Sequence, residues 1–398
     1  MNKKISLGAA ITFMVVIAGL TFCITMMVSL NYFNGMVFNV KERKEMYTKI
    51  SEIDSEIRQK YNGTIDEDMM LDAISRGYVS GLGDKYSRYL SKSEYEKQLL
   101  DTQGKLVGIG VTIKRDASGY AQVVKVIEGS PAELAGILSG DMITAIDEVD
   151  LKTYDFTKVD ELIRGNAGTK VKLNIRREGV ETLYELARKD IDIKYVTYKL
   201  IDKNGYIKIN EFNQKTYEQF KNAVDDLIKQ GATGLVFDLR DNGGGTLDSA
   251  TKMLDMLLPQ GVIATKTDKS GATSPLATSD KYGVNLPMVT IINGNTASAS
   301  ELFVSALRDF NKATSIGTTT YGKGVMQTLI PLKDGSALSI TTASFIPPSG
   351  EDFNGVGIKP DNEVKFTPEQ EQNFKNGHLE LESDTQFVKA VEVLNSKK

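Results

Sequence analysis

The second half of the chain alternates between two hydrophobic patterns. The segment at 235–240 and the hydrophobic run at 288–292 are typical of buried strands, and each ends in a turn rich in glycine or asparagine. Stretches with helical periodicity begin after these turns, near residues 247 and 299. Because strands that alternate with helices form α/β cores, we expect such a core here, with functional loops at the carboxyl ends of the strands.

Residues 104–188 show a different pattern, in which short strands are separated by glycine turns. A short helix opens at Ser130-Pro131, with proline at the first helical position. Around it we predict four strands, at 106–111, 123–127, 142–146 and 171–175. These spacings indicate a small β-rich domain inserted ahead of the α/β core.

A long apolar segment lies near the N-terminus. Ile5 to Leu30 are 26 consecutive uncharged positions, and Lys3 and Lys4 precede them. This run is longer than the apolar core of a signal peptide and long enough to span a bilayer with some tilt. The short positive N-terminus favours the cytoplasmic side of the membrane. We therefore expect a single-pass anchor in the cell membrane, with the rest of the chain extracytoplasmic.

Helical patterns continue beyond this segment. Apolar residues share one face between 41 and 61, a second helix is predicted at 66–78, and Ser93 with Glu96 is predicted to cap a third. An amphipathic helix is also predicted at 384–394. Because these segments offer apolar faces, we expect them to take part in a homodimer.

The composition of the chain argues against several kinds of partner and site. The net charge of −4 argues against nucleic acid as a partner. Cys23 is the only cysteine, so an intrachain disulfide is impossible and zinc held by thiolates is excluded. His378 is the only histidine and lies in a polar stretch away from every glycine-rich turn, which argues against a Ser-His-Asp triad. We expect no metal and no cofactor.

Two segments, 293–301 and 321–327, carry the candidate chemistry. Ser298 stands at the start of a predicted helix, where small neighbours leave the turn open and the helix N-terminus favours an oxyanion. The alternative is a capping box, Ser298-x-x-Glu301, which only satisfies backbone donors. Lys323 lies between two glycines, and burial there would lower its pKa toward the neutral range, as a base requires. Its alternative is an ordinary exposed loop lysine.

The small-residue helix start at 298–301, followed by Gly-Lys-Gly at 322–324 and by Gln327, resembles the carboxy-terminal processing proteases, also called tail-specific proteases. The resemblance extends over nearly all of the chain from about residue 66 to 395. It implies that Ser298 is the nucleophile, that Lys323 is the base and that Gln327 orients the lysine. From the residues alone, Gln327 can equally be a strand residue that faces solvent.

The loop at 241–245 follows a buried strand and contains three consecutive glycines, whose N–H groups can approach a ligand closely. By the same resemblance, the N–H groups of Gly244 and Ala299 form the oxyanion hole. Gly243 stands where the family usually has proline, so both Gly244 and Gly245 remain candidates.

The domain at 104–188 resembles a PDZ domain. The resemblance implies that its carboxylate-binding loop captures the free, apolar C-terminus of a protein substrate, which adds as a strand. Arg164 is a candidate for coupling this domain to the protease core, and the alternative is an ordinary surface arginine. The loop residues concerned are Gly108, Ile109, Gly110 and Val111.

Two other motifs carry weaker signals. Residues 317–324 nearly match a phosphate-binding P-loop, but Gly324 replaces the magnesium-binding hydroxyl residue. Ser249-x-x-Lys252 fits the Ser-x-x-Lys pattern of penicillin-recognising acyl transferases, whose partner motifs are absent. The segment around Lys85 resembles the Gly-Asp-Pro-Tyr-Ser segment of the protease family. Lys85 stands where that family usually has proline.

Together these patterns predict an α/β fold with a crotonase-like protease core. The expected function is a Ser/Lys serine endopeptidase that cleaves proteins near their C-termini. The alternative is a PDZ scaffold protein whose protease-like core is inert. The expected parts are an N-terminal tip and transmembrane anchor (1–40), a helical dimerisation module (41–103), the PDZ domain (104–188), the protease core (189–370) and a helical tail (371–398).

Overall fold

The computed structural model describes residues 7–153, 156–280 and 283–397, and the chain divides into two compact units at residues 71 and 72. The first unit is dominated by helix α1 (Leu7–Lys60), which runs without a break because no proline interrupts it. Its segment Ile11–Leu30 is long and apolar enough to cross a membrane, and is a candidate anchor or signal sequence. Lys3, Lys4 and Ile5, where the predicted span begins, lie outside the described residues.

Three short elements follow: helix α2 (Glu67–Ser80), strand β1 (Arg88–Leu90) and helix α3 (Lys92–Thr102). The predicted cap of the third helix is wrong by two residues. Ser91 and Glu94 form the capping box, with the Glu94 carboxylate accepting from the Ser91 N–H at 2.8 Å. Glu94 also forms an ion pair with Arg76 at 2.7 Å. This ion pair favours Glu94 over Glu96 as the glutamate of the capping box.

The next domain is a twisted antiparallel sheet with two short helices. Its sheet has the order β3-β4-β5-β7-β8, β6 pairs with β5, and β2 and β9 form a separate two-stranded ribbon. Among the described residues β3 pairs only with β4, so β3 is an edge strand. The elements are β2 (Leu106–Gly108), β3 (Val111–Arg115), β4 (Ala121–Val126), α4 (Pro131–Leu134), β5 (Met142–Ile146), β6 (Val149–Asp150), α5 (Phe156–Ile163), β7 (Lys170–Arg177), β8 (Val180–Ala187) and β9 (Lys189–Ile191).

The remaining elements build the α/β core. The alternation of strands and helices predicted from the sequence is present here. They are β10 (Val196–Ile201), β11 (Asn204–Ile209), α6 (Thr216–Lys229), β12 (Gly234–Asp238), α7 (Leu247–Leu257), β13 (Gly261–Asp268), β14 (Thr273–Ser279), β15 (Met288–Ile292), α8 (Ala299–Asp309), β16 (Ala313–Gly317), β17 (Val325–Pro331), β18 (Ala337–Ile346), β19 (Asn362–Glu363), α9 (Pro368–Lys375) and α10 (Thr385–Ser396).

Two sheets form this core. The first has the order β10-β11-β12-β15-β16-β19, and its strands are parallel from β11 onward. The second is antiparallel, with the order β1-β18-β13-β14 and with β17 also paired to β18. Strand β1 lies in the segment that the sequence assigns to the helical module, yet it pairs with β18 of the core.

Both faces of the parallel sheet are covered. Leu235 and Phe237 pack with α6, α7 and α8, whereas Val236, which alternates with them, packs on the other face with α10. The apolar side of α10, which the sequence analysis made available for a dimer, is buried against this sheet instead: Phe387, Ala390 and Leu394 are 5% exposed or less.

A buried charge network fastens α10 to the sheet. Arg240, at the end of β12, donates to Asp238 and to Asp384, each at 2.6 Å, and all three side chains are almost fully buried. Asp384 also caps α10 by accepting from two backbone N–H groups. The guanidinium and the Lys208 ammonium hold the pKa of Asp238 well below its usual range against the opposing effect of burial. The network lies directly before the glycine loop of the core.

Candidate active site

Ser298 lies between strand β15 and helix α8. Its backbone has φ 58° and ψ −116°, a conformation of tight turns that usually requires glycine. Such strain costs about 1–3 kcal/mol and is concentrated at functional sites. The side chain is 9% exposed at the amino end of α8, where the helix dipole favours negative charge.

A buried carboxylate joins this turn to the lysine loop. Glu301 is fully buried, and it accepts four hydrogen bonds. Its Oε2 accepts from the N–H of Ser298 and from the N–H of Lys323, each at 2.8 Å. Its Oε1 accepts from Thr320 Oγ1 at 2.5 Å and from the Gly322 N–H at 2.7 Å. The capping glutamate therefore holds the candidate nucleophile and the candidate base around one carboxylate.

Lys323 is half-buried, and its Nζ lies 4.9 Å from the centre of the Tyr86 ring. Burial lowers the pKa of Lys323, and the nearby charge of Arg88 lowers it further, while Asp84 and Glu301 oppose the change. The shift has the direction that a neutral amine base requires. An ordinary exposed loop lysine would not have these surroundings.

Gln327 lies on β17, one residue beyond Met326, where the pairing with β18 shifts register. Its Nε2 donates to Thr341 Oγ1 at 3.0 Å. Within the described residues, no hydrogen bond joins Lys323 Nζ to Ser298 or to Gln327. The structure thus places Gln327 in the neighbouring strand pair, and its role in orienting the lysine stays a prediction.

The three glycines of the core loop have different surroundings. Gly244 has φ 105°, and a Cβ there would lie 2.7 Å from the Ala297 carbonyl oxygen and 2.9 Å from Ser298 Cβ. Gly245 packs against the backbone of Phe212 instead. The structure therefore brings Gly244 next to Ser298, while Gly245 is part of the strand contact.

The N–H groups of the candidate oxyanion hole differ in availability. Gly244 N–H donates to Asn242 Oδ1 at 2.9 Å. The Ala299 N–H occupies the first helical position of α8, where no intrahelical acceptor exists, and no other acceptor lies within reach among the described residues. A Cβ on Gly244 would lie 3.1 Å from the Ala299 nitrogen, so the two peptide groups are neighbours.

The predicted carboxylate-binding loop of the inserted domain is the connection between β2 and β3. The carbonyl of Ile109 accepts from Ala132 N–H and that of Gly110 accepts from Ile127 N–H, both at 2.9 Å. In the described part of the chain, the N–H groups of Ile109 and Gly110 have no acceptor. They lie beside the open edge of β3, which begins at Val111. The continuous strand predicted at 106–111 is wrong, because φ 86° at Gly110 ends β2 after Gly108.

Arg164 follows helix α5. Its Nε donates to Asp160 Oδ2 at 3.0 Å, and its side chain lies near Gly108 of the loop. The pKa of Tyr195, close to the start of β10, is raised to about 12 by burial, and the charge of Arg164 acts against this rise. Arg164 therefore lies beside the binding loop, its charge acts on Tyr195 near the start of the core, and its ion pair with Asp160 fits an ordinary surface arginine, so its coupling role stays a prediction.

The competing motifs do not form sites. Lys252 pairs with Asp248 at 2.8 Å on the exposed side of α7, whereas Ser249 is buried, so the two do not meet. His378 is exposed and follows α9, and no hydrogen bond joins it to Ser298 among the described residues. No cluster of residues suited to hold a metal ion occurs among the described residues.

Two parts of the site were missed by sequence reasoning. Glu301 was considered only as a helix cap, although its four donors make it the bridge of the site. Tyr86 was not predicted to belong to the site, yet its ring lies 4.9 Å from Lys323 Nζ. The available signal was the resemblance to the family's Gly-Asp-Pro-Tyr-Ser segment, in which Lys85 replaces the proline.

Comparison with known proteins identifies the family. A model of peptidase family S41 matches residues 203–364, and a PDZ domain model matches residues 122–177. A probable CtpA-like serine protease of Staphylococcus aureus (strain COL) is 36% identical over 316 residues, covering 79% of this chain. One of Staphylococcus haemolyticus (strain JCSC1435) is 31% identical over 386 residues, covering 95% of this chain and 76% of that protein. The chain spans 64% of the length of the first of these relatives.

Two solved structures are similar to this chain. The photosystem II D1 C-terminal processing protease is 28% identical with a TM-score of 0.51, and the match covers 83% of this chain and 90% of that one. A putative S41 protease from Bacteroides fragilis NCTC 9343 shares the fold, with 21% identity, a TM-score of 0.54 and coverage of 87% and 97%. The predicted family is confirmed: the chain belongs to peptidase family S41, among the PDZ-containing, CtpA-like C-terminal processing serine proteases.

Proposed function

We propose that this chain is a serine endopeptidase that cleaves proteins near their C-termini with Ser298 as nucleophile and Lys323 as base. The observation that carries the proposal is the Glu301 carboxylate, whose Oε2 accepts from the backbone N–H groups of both residues at 2.8 Å. The lowered pKa of Lys323 supports the role of a neutral amine at physiological pH.

The reaction proceeds through an acyl-enzyme. The Ser298 hydroxyl oxygen bonds to the scissile carbonyl carbon, and its proton passes to Lys323 Nζ. The N–H groups of Ala299 and Gly244 stabilise the resulting oxyanion, for which the Gly244 N–H leaves Asn242. The C–N bond then breaks, and the leaving amine takes the proton from Lys323. Water attacks the ester with Lys323 again as base, which releases Ser298.

The inserted PDZ domain presents the substrate. A protein C-terminus adds as a strand to the open edge of β3, and the N–H groups of Ile109 and Gly110 hold its carboxylate. Half-buried Val111 and Ile113 beside this edge favour an apolar tail. Arg164 is the candidate contact through which the PDZ domain and the crotonase-like core communicate.

The N-terminal helix anchors the enzyme in the cell membrane through Ile11–Leu30, with the catalytic part extracytoplasmic. We further propose a homodimer, supported by apolar side chains that α2 leaves exposed, including Ile74 and Tyr78. Sedimentation in detergent tests the dimer, and a single-chain mass would contradict it. Protease accessibility in sealed vesicles tests the orientation.

The experiment uses the full chain in detergent, with Ser298→Ala and Lys323→Ala as matched variants. Each is incubated with an unfolded protein that has an apolar C-terminus, and mass spectrometry identifies the products. We expect cleavage by the parent alone, and loss of cleavage when the substrate carboxylate is amidated. If the parent and both variants bind the substrate but none of them cleaves it, the result would favour a PDZ scaffold with an inert core. Cleavage by Ser298→Ala would refute the mechanism.

A further inference from the structure

The segment from Asp84 to Arg88 forms one wall of the Lys323 environment. The ring of Tyr86 lies 4.9 Å from Lys323 Nζ, and the next turn of chain enters strand β1 of the core. The Tyr86 hydroxyl is buried and has no hydrogen-bond partner among the described residues. The contact between Tyr86 and the lysine is therefore made by the ring face, and the hydroxyl is not needed for it.

A continuous chain of hydrogen bonds connects this segment to Gln327. Gln327 Nε2 donates to Thr341 Oγ1 at 3.0 Å, and the Thr341 N–H donates to Ser87 Oγ at 3.0 Å. The Ser87 hydroxyl donates to Asp84 Oδ2 at 2.5 Å, and Asp84 Oδ1 accepts from the Tyr86 N–H at 3.1 Å. The chain starts at Gln327 and ends at the backbone of Tyr86, so it holds the segment from which the ring projects.

A second lysine lies at the same ring. Lys85 Nζ is 4.8 Å from the centre of the Tyr86 ring and 5.1 Å from that of Tyr321, two residues before Lys323. Lys85 thus links the segment to the lysine loop from the solvent side.

We propose that Tyr86 is a positioning residue for Lys323: its ring face places the amine, and the hydrogen bonds that run from Gln327 through Thr341, Ser87 and Asp84 hold the segment that carries the ring. This inference rests on the proposed function in one respect, because it takes Lys323 to be the base. It assigns a role to a segment that lies outside the S41 and PDZ matches.

Several groups face Lys323, and their effects on its charge have different signs. Burial and, after it, the charge of Arg88 favour the neutral amine. The carboxylates of Asp84 and Glu301 favour the ammonium. The Tyr86 ring contributes both burial and a weaker attraction for a cation. Because burial is the largest effect, removing the ring should raise the pKa of Lys323.

The test measures the charge of Lys323 directly. Trace acetylation with acetic anhydride modifies only neutral amines, so the rate of Lys323 modification as a function of pH, read by mass spectrometry, reports its titration. Exposed Lys229 on α6 serves as reference in the same digest. The full chain is compared with Tyr86→Phe and Tyr86→Ala.

We expect the Lys323 profile of Tyr86→Ala to move to higher pH and that of Tyr86→Phe to match the parent, because phenylalanine keeps the ring face. Ser87→Ala, which breaks the hydrogen-bond chain without touching the ring, should move the profile in the same direction by less. Circular dichroism shows whether each variant folds. If Tyr86→Ala does not fold, the acetylation profile of Ser87→Ala decides the inference. Profiles of Tyr86→Ala and Ser87→Ala that match the parent would overturn the inference.

A second readout separates this inference from the proposed function. Phosphonylation of Ser298 by a serine-reactive fluorophosphonate, in which the hydroxyl oxygen bonds to phosphorus and fluoride leaves, should be about tenfold slower in Tyr86→Ala, since general base catalysis contributes 10²–10⁴-fold. A parent that is not labelled would count against the proposed function, while the acetylation profiles would still decide the role of Tyr86. A labelled parent with unchanged rate and profile in Tyr86→Ala would refute the positioning role alone.

Discussion

Two glycine loops in this molecule, residues 108–111 of the PDZ domain and 243–245 of the protease core, are built in similar ways. Each contains glycine with positive φ where a Cβ would collide with its neighbours: Gly110 in the first loop, and both Gly244 and Gly245 in the second. For Gly110 the neighbour is Ser130 Cβ at 2.2 Å, and for Gly244 it is the Ala297 carbonyl oxygen at 2.7 Å. Both loops are therefore closely packed supports for backbone N–H groups.

The two loops differ in what their N–H groups do in the absence of substrate. Within the described residues, those of Ile109 and Gly110 have no acceptor, whereas that of Gly244 donates to Asn242 Oδ1 at 2.9 Å. If the proposed function holds, the binding loop can accept a carboxylate as it stands. The catalytic loop would then have to exchange one hydrogen bond before both proposed oxyanion donors can act, so capture and cleavage would have different structural requirements.

The largest effect is expected from Gly244→Ala. The new methyl group would push against the Ala297 carbonyl and Ser298, and loss of one oxyanion donor typically lowers kcat by about 10²–10³-fold. Gly243→Ala is the matched control, since a Cβ there meets nothing within 4 Å. Steady-state cleavage of a peptide substrate measures both. Equal activity of the two variants would show that Gly244 is not at the oxyanion.

A smaller effect, confined to binding, is expected from Gly110→Ala. Its Cβ would collide with Ser130, which should weaken binding of a peptide with a free C-terminus by roughly tenfold through loop strain. Gly129→Ala is the control, because Gly129 also has positive φ but open surroundings. Fluorescence anisotropy measures binding, and fluorophosphonate labelling of Ser298 should stay unchanged. Weakened binding in both variants would assign the effect to backbone strain alone.

The smallest effect concerns pH. The charge of Arg88 helps to lower the pKa of Lys323, so Arg88→Gln should raise that pKa. The fraction of Lys323 that is neutral at pH values below the pKa should then be smaller. The acid limb of kcat/KM should therefore move to higher pH, while the rate on the alkaline plateau stays the same. Arg88→Lys keeps the positive charge, so the pH dependence of kcat/KM should be unchanged in this variant. A shift that persists in high salt would contradict an electrostatic cause.

The sequence predicted the elements with strong local signals. The continuous run Met288–Ile292 is strand β15 with the predicted bounds, and the helix after Ser298 is present as α8. The family was also recognised from short motifs near Ser298 and Lys323. These features depend on residues close together in the chain, so periodicity and spacing record them.

Long-range pairings were not predictable in the same way. Glu301 and Thr320, Ser87 and Thr341, and Arg240 and Asp384 are joined by side-chain hydrogen bonds over 19, 254 and 144 positions. A single polar residue gives no periodic signal that identifies its distant partner. For the same reason, the sequence indicated only a local capping role for Glu301 and no role for Tyr86.

The attachment of α10 to Arg240 has a consequence for biogenesis. When strands β11, β12 and β15 have left the ribosome, α10 has not yet been made, so one face of the parallel sheet lacks its cover and Arg240 lacks the partner Asp384. Arg240 stands directly before the loop that carries Gly244. The nascent chain therefore cannot complete the support of this loop until α10 emerges, which delays proteolytic competence until synthesis has passed the whole catalytic core.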